Sequence, residues 1–199
     1  MGIIFCIIGK SGSGKDSVFR ALYGDAGLGL QAVTLYTTRP ARQGERDGVD
    51  YHFITEPELS RLDREGRVIE QRRYDTVRGT WYYCTVDDGQ FASGGNLLLV
   101  ATLEAFSSLK KRFGKNRVQP IYLEVEDGIR LQRALNREKR QGTPDYEELC
   151  RRFLADSRDF SAQKLLEAGI KRKFSNRVFG RCVGTIRSAI LKEIKKDYV

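Results

Sequence analysis

The chain has 199 residues, of which 40% are hydrophobic and 31% charged, and its formal net charge is +9. This length supports one sizeable core with room for inserted lobes. The apolar runs fall short of the roughly 20 residues of a membrane helix, and the first run lacks a basic leader, so we expect neither a membrane span nor a signal peptide. Four widely spaced cysteines form no metal-binding pattern and favour reduced thiols in a cytoplasmic protein.

The chain opens with a buried strand that runs into a glycine-rich loop. Ile3–Ile8 is continuously apolar, Gly9–Ser17 carries the glycines and Lys15, and a helix is predicted over Ser17–Tyr23. This is a P-loop in its required context, because the glycines let backbone N–H groups surround phosphate oxygens and the helix N-terminus favours an anion. The expected phosphate-binding residues are Gly9, Ser11, Gly12, Ser13, Gly14, Lys15, Asp16 and Ser17.

The end of the loop departs from the usual P-loop pattern. A Ser or Thr that binds Mg²⁺ normally follows the lysine, whereas Asp16 stands there and Ser17 comes one residue later. Either Asp16 binds Mg²⁺ directly or Ser17 does so after a small shift. We expect Lys15 to face solvent as a ligand of the outer phosphates of a nucleotide. The alternative, a strand-to-helix turn that binds nothing, is disfavoured because strand, loop and helix signals agree.

Residues 35–87 combine turn signals, charges and aromatics, and predict a small β-rich lobe inserted into the core. Arg39 and Arg42 flank Pro40, which stiffens the turn, so that two guanidinium groups could grip one phosphate. The alternative is that these arginines pair with Glu45 or Asp47 on the lobe surface.

Two further apolar runs, Leu97–Ala101 and Val118–Val125, alternate with a helical pattern over Leu103–Phe113. Buried strands that alternate with helices predict a parallel α/β sheet covered on both faces. Residues 128–160 are arginine-rich and predicted helical with a break at 142–144, which is typical of a mobile helical lid. A last helix is predicted over Thr185–Lys196.

The positive charge raises the question of nucleic-acid binding. The arginines recur in separate groups interleaved with acidic residues rather than in one basic tail, so we disfavour nucleic acid as the main ligand. A kinase that closes on two nucleotides needs arginines from separate segments. These groups are Arg39/Arg42/Arg46, Arg72/Arg73/Arg78, Arg133/Arg137/Arg140 and Arg151/Arg152.

The run Thr37–Glu45, followed by Gly48–Phe53, resembles the guanylate kinase family of nucleoside monophosphate (NMP) kinases, and the likeness spans nearly the whole chain. The resemblance implies a P-loop kinase with a parallel sheet core (residues 1–34, 88–127 and 161–199), an inserted NMP-binding lobe (35–87) and a helical lid (128–160). It implies phosphorylation of GMP or dGMP by ATP with Mg²⁺.

The same resemblance assigns acceptor-binding residues. Arg39, Arg42, Tyr51 and Tyr83 would hold the GMP phosphate, Glu70 would read the base and Thr85 would approach guanine O6. One carboxylate can accept from both guanine N1–H and N2–H₂, a pair of donors that adenine lacks. The alternatives are a solvated Glu70 at a strand end, and packing roles for Tyr82 and Tyr83 within the lobe.

For the lid, the resemblance implies that Arg133, Arg137 or Arg140, and Arg152 close over the transferring phosphoryl group, and that Asn176 lies near the adenine of ATP. Any one of these arginines could instead be surface charge. The single histidine, His52, is expected to be a surface or packed residue.

Three positions depart from the family pattern. The strand end at Thr102 lacks the usual acidic residues, Leu35 stands where a serine is common, and Asp16 replaces the P-loop hydroxyl. Two other functions therefore stay open: a related kinase with another phosphorylated acceptor such as a ribose bisphosphate, and a non-enzymatic binding module. The retained Lys15 and intact glycine loop argue against the second.

Overall fold

A computed structural model describes residues 2–42, 44–76 and 79–196. Gln43 and Arg78, which belong to sequence patterns given above, lie outside the described residues. The strands are β1 (Ile4–Gly9), β2 (Leu30–Ala32), β3 (Tyr36–Thr37), β4 (His52–Phe53), β5 (Val68–Thr76), β6 (Gly79–Val86), β7 (Asn96–Val100), β8 (Val118–Glu124) and β9 (Lys173–Ser175). The helices are α1 (Lys15–Tyr23), α2 (Glu56–Arg64), α3 (Leu103–Phe113), α4 (Asp127–Glu138), α5 (Tyr146–Asp159), α6 (Ala162–Glu167) and α7 (Phe179–Lys196).

The larger sheet has the strand order β2-β7-β1-β8-β9, and its neighbouring strands run parallel. Every residue of β1 is buried, because a central parallel strand is covered on both faces. Ile4, Cys6 and Ile8 enter the apolar core on the α3 side, and Phe5 and Ile7 enter the core on the α1 and α7 side. The predicted parallel α/β sheet is confirmed.

The smaller sheet lies between β2 and β7 in the sequence and has the order β4-β3-β6-β5. Strand β6 runs antiparallel to β3 and β5. Because successive side chains of a strand point to opposite faces of the sheet, alternate β6 residues lie on opposite faces. Cys84 and Val86 of β6 pack with Leu59 and Leu62 of α2 into a separate small core. The predicted β-rich character is confirmed, and α2, which was not predicted, covers one face of this sheet.

The predicted helix boundaries differ from the structure at two places. Helix α1 begins at Lys15, two residues earlier than predicted, because Gly14 adopts the left-handed conformation that starts it. Helix α7 begins at Phe179 rather than Thr185, and Cys182, Ile186 and Ile190 form its buried stripe. The predicted break at residues 142–144 separates α4 from α5. Within the described ranges, no helix has the length and apolar character that a membrane crossing requires.

Candidate active site

The glycine-rich loop joins β1 to α1 and bends through two left-handed glycines. Gly12 has φ 77° and Gly14 has φ 88°, a region that disfavours residues with a Cβ atom. A Cβ at Gly12 would lie 2.7 Å from the carbonyl oxygen of Arg130, and one at Gly14 would lie 2.6 Å from Nδ2 of Asn176. The loop shape therefore depends on glycine at both positions.

The Lys15 ammonium folds back onto the loop that precedes it. Its Nζ donates to the carbonyl oxygens of Gly9 at 2.8 Å and Lys10 at 3.2 Å. Burial lowers the pKa of Lys15, and the Asp16 carboxylate opposes that shift. The expectation that Lys15 faces solvent is wrong, because these carbonyls hold the half-buried amine against the loop.

Asp16 and Ser17 lie exposed in the first turn of α1. Within the described ranges the Asp16 carboxylate makes no ion pair, yet it acts on both Lys15 and Tyr51. Burial is the main reason that the pKa of Tyr51 is raised, and Asp16 adds to that increase. No group of three or more His, Cys, Asp or Glu side chains in the described parts of the chain is arranged as a metal site.

Asn176 is buried, and its side chain supports the loop. Its Nδ2 donates to the carbonyl oxygen of Ser13 at 2.8 Å, and its own N–H donates to Glu124 at the end of β8. Among the described residues, Asn176 Oδ1 and the Ser13 hydroxyl are buried without a hydrogen-bond partner. The structure thus ties Asn176 to the P-loop, a contact that the sequence did not predict.

Arg39 is buried and centres a polar cluster in the smaller sheet. Its Nε donates to the Tyr83 hydroxyl at 3.0 Å, Nη1 to the Pro40 carbonyl at 2.7 Å and Nη2 to Glu45 at 2.9 Å. Three of the five guanidinium N–H donors are thus used. The pairing of Arg39 with Glu45, considered above as the alternative to phosphate binding, is therefore present. It still leaves guanidinium N–H groups that could donate to a phosphate.

Tyr51 and Tyr83 meet edge to face beside Arg39, with ring centroids 5.7 Å apart. The Arg39 guanidinium lies 5.6 Å from the Tyr51 ring. Tyr82, on the other face of β6, packs in the small apolar core. The packing alternative therefore holds for Tyr82, while the Tyr83 hydroxyl lies with the predicted acceptor residues.

Arg42 is exposed, and its backbone N–H donates to Oε2 of Glu45 at 2.8 Å. Glu45 thus binds both Arg39 and the turn that carries Arg42. Asp47 instead accepts from the backbone N–H of Phe53. The Arg42 side chain is left on the rim of the cluster.

Glu70 is only 8% exposed, which excludes the alternative of a solvated glutamate. The Thr85 hydroxyl donates to its Oε1 at 2.7 Å, and Arg72 Nε donates to its Oε2 at 3.1 Å. Strands β5 and β6 pair Glu70 directly with Thr85. The predicted base-reading pair is therefore brought together, and Arg72 is an addition that sequence reasoning missed.

The structure separates the predicted lid arginines. Arg133 Nη2 donates to the carbonyl oxygen of Asn176 at 3.0 Å, and Arg152 Nη2 lies 3.4 Å from the Ser11 hydroxyl. Arg137 instead lies half-exposed beside Glu138, and Arg140 is exposed. Arg152 thus contacts the P-loop itself, Arg133 contacts Asn176, whose side chain binds the loop, and no described contact joins Arg137 to the loop.

The other singled-out positions have structural roles. Thr102 caps α3 by accepting from the N–H of Ala105, and Leu35 packs against the larger core. The His52 ring packs on Tyr36 with centroids 4.5 Å apart. All four cysteines are free thiols.

Two residues that contact the P-loop were not predicted from the sequence. Asp156 accepts from the N–H of Ser11, and Arg130 donates to the Ser11 carbonyl. They are 26 positions apart on different helices, so no sequence periodicity links them.

The chain is similar to several guanylate kinases. It is 28% identical to the guanylate kinase of Mycoplasma mobile, over 97% of this chain and 94% of that protein. It is 31% identical to that of Paraburkholderia xenovorans, over 77% and 65% of the two chains. It is 37% identical to the guanylate kinase of Syntrophotalea carbinolica over 55% of this chain. That match spans about half of the relative's length, 51%.

Solved structures share the fold. A guanylate kinase from Anaplasma phagocytophilum superposes with a TM-score of 0.65 at 16% identity, over 97% of this chain and 86% of that one. A gluconokinase from Sinorhizobium meliloti 1021 gives a TM-score of 0.51 at 15% identity, over 99% and 95%. These likenesses support the P-loop kinase fold. The family model described as guanylate kinase matches residues 3–163, and the chain belongs to the guanylate kinase family.

Proposed function

We propose that the protein transfers the γ-phosphoryl group of ATP to GMP or dGMP and releases ADP and GDP or dGDP. The observation that carries this proposal is the buried Thr85–Glu70 pair in the same small sheet as the Arg39–Tyr83 cluster. A carboxylate for a base and guanidinium donors for a phosphate are the two groups that recognition of a guanine nucleotide needs.

On the donor side, the P-loop amides and Lys15 bind the ATP phosphates. The carbonyls of Gly9 and Lys10 already orient the ammonium, so little reorganisation is needed when charge moves between the phosphates. Arg133 and Arg152 approach from α4 and α5 and add positive charge over the loop. Arg137 joins them only if the lid segment, residues 128–160, closes further.

Asp16 and Ser17 are the residues that would hold Mg²⁺. Their donor chemistry fits, since Mg²⁺ is commonly bound by one or two carboxylates together with substrate phosphates. When bound, the ion neutralises phosphate charge. Asp16 is exposed in the first turn of α1, directly after Lys15, where it is accessible to an ion bound with the phosphates of ATP.

On the acceptor side, the free N–H donors of Arg39, together with Arg42, Tyr51 and Tyr83, bind the GMP phosphate and hold it in line with ATP. The two oxygens of Glu70 retain lone pairs beyond those used by Thr85 and Arg72. These lone pairs accept from guanine N1–H and N2–H₂.

A cavity of about 450 Å³ beside the P-loop is the place for the adenine of ATP. Lys10, Asp127 and Arg130 line it, together with Ser175 and Arg177, which flank Asn176 in the sequence. This position supports the assignment of Asn176 to the adenine side of the site.

The test is an ADP-release assay with ATP and Mg²⁺ in which GMP, dGMP, AMP and a ribose bisphosphate are compared as acceptors. We expect turnover with GMP and dGMP. Turnover with the ribose bisphosphate alone would contradict the proposal, as would the absence of any transfer.

A further inference from the structure

Both backbone groups of Ser11 are bound by side chains from the lid helices. The Ser11 N–H donates to Oδ2 of Asp156 on α5 at 2.7 Å. The Ser11 carbonyl accepts from Nη1 of Arg130 on α4 at 2.8 Å, and the same Nη1 lies 3.2 Å from Oδ2 of Asp156. Arg130, Asp156 and the Ser11 peptide groups thus form a closed set of contacts, called the Ser11 clamp below.

Arg130 is held on every side. It is 1% exposed, its Nε and Nη2 donate to Asp127 at 3.0 and 2.7 Å, and its guanidinium lies 4.7 Å from the Phe153 ring. Its own backbone carbonyl oxygen lies only 2.7 Å from the position that a Cβ at Gly12 would take. The helix and the loop are therefore packed together at the bend of the P-loop.

A contribution to folding stability does not by itself explain a buried ion pair between Arg130 and Asp156. Removing two charges from water has a large desolvation cost, and apolar side chains of similar volume often stabilise a fold as well or better. What an apolar pair could not do is bind the N–H and C=O of one loop residue at the same time. The contacts point to control of loop geometry.

We infer that Arg130 and Asp156 are positioning residues that hold the P-loop in its phosphate-binding shape before ATP arrives. The inference rests on the proposed function, since it takes ATP as the donor. It implies that the lid is anchored at the loop through Arg130 and Asp156, so that lid movement is concentrated farther from these anchors, in the C-terminal end of α4, which carries Arg137, and in the connection to α5.

The test measures binding of a non-hydrolysable ATP analogue and of GMP, each by calorimetry, to the full chain. Asp156→Ala removes the acceptor of the Ser11 N–H, and we expect analogue affinity to fall at least about tenfold with GMP affinity unchanged. Asp156→Asn keeps an acceptor and should lose less. Glu148→Gln is the matched control, because Glu148 pairs with Arg151 on the exposed side of α5.

Equal analogue affinity in wild type and Asp156→Ala would overturn the inference. Should that variant unfold, Arg130→Met combined with Asp156→Ala decides, because it also removes the buried guanidinium, which Asp156→Ala leaves with Asp127 as its remaining carboxylate partner. If the folded double variant binds the ATP analogue weakly, the clamp is supported. If the double variant binds the analogue as tightly as the wild type does, the inference is overturned. If the wild type binds the analogue but does not phosphorylate GMP, the proposed function fails while the clamp is still judged by these affinities. A wild type that binds no analogue overturns both.

Discussion

The hydroxyl of Thr85 donates a 2.7 Å hydrogen bond to Oε1 of Glu70 across strands β5 and β6. The bond fixes the orientation of a buried carboxylate whose other oxygen binds Arg72. A carboxylate held in this way can recognise a base without first becoming ordered, which lowers the entropic cost of binding.

Glu70→Gln should reduce kcat/KM for GMP by about 10- to 150-fold, or about 1.5–3 kcal/mol. The amide turns one acceptor into a donor, which must face Thr85, Arg72 or the base. Steady-state assays with GMP as the varied substrate measure this change.

Glu56→Gln is the control for that experiment, since Glu56 is exposed in the first turn of α2. Equal GMP kinetics in Glu70→Gln and wild type would remove Glu70 from the site and favour an acceptor without guanine.

The parts of this site that could be predicted are those encoded within one segment. Gly9–Ser17 follows a continuous apolar strand, so the order of strand, loop and helix was predictable from local pattern, although the helix begins two residues earlier than predicted. The start of α2 was also encoded, because Thr55 and Glu58 form a capping box. Strands β3 and β4 have two residues each, too few for periodicity to identify.

The parts that could not be predicted join distant segments. Arg130 and Asp156 meet only because α4 and α5 pack against each other next to the loop, and Asn176 reaches Ser13 from the end of β9. Glu45 was considered as a partner of Arg39, but the pairing depends on the shape of the turn at Pro40. Such contacts follow from tertiary packing, which a single sequence does not display.

Lys15→Met should lower kcat at least about 10²-fold while the chain stays folded. Methionine keeps most of the side-chain length but cannot donate to the Gly9 and Lys10 carbonyls or to a phosphate. Turnover and circular dichroism are measured together. A folded variant with normal turnover would show that the P-loop is not the catalytic phosphate site.

Glu45→Gln should destabilise the protein by about 1 kcal/mol at pH 7, because it removes the charge paired with buried Arg39. The hydrogen bond from Arg39 lowers the pKa of Glu45 below its ordinary value of 4.5. A lowered pKa in the folded state stabilises the protein above the unfolded pKa, and that contribution is lost as pH falls through the folded value.

The difference in unfolding free energy between wild type and Glu45→Gln should therefore have its largest value at pH 7 and decrease below pH 4.5. Urea titrations across that range measure it. Glu65→Gln, which removes the exposed carboxylate that pairs with Arg61 and Arg67, should change stability by less than about 0.5 kcal/mol at pH 7. A Glu45→Gln difference that does not vary with pH would contradict the ion-pair explanation.

Asp16 is the position where the loop departs from the common P-loop, and its charge requires a cation. A carboxylate beside the β- and γ-phosphates is repelled by them unless a positive ion lies between. Asp16 is exposed in the first turn of α1, without an ion pair in the described segments. Because it directly follows Lys15, we expect it to lie beside the phosphates that the loop binds.

Asp16→Ala should accordingly raise the Mg²⁺ concentration needed for half-maximal activity several-fold, since one of few Mg²⁺ ligands is lost. Asp16→Ser should retain activity, because it restores a hydroxyl directly after Lys15. Mg²⁺ titrations at fixed ATP and GMP distinguish the variants, and Ser17→Ala tests the neighbouring hydroxyl in the same series. An unchanged Mg²⁺ requirement in Asp16→Ala, together with a raised one in Ser17→Ala, would move the ion to Ser17 and leave Asp16 as a favourable charge at the N-terminus of α1.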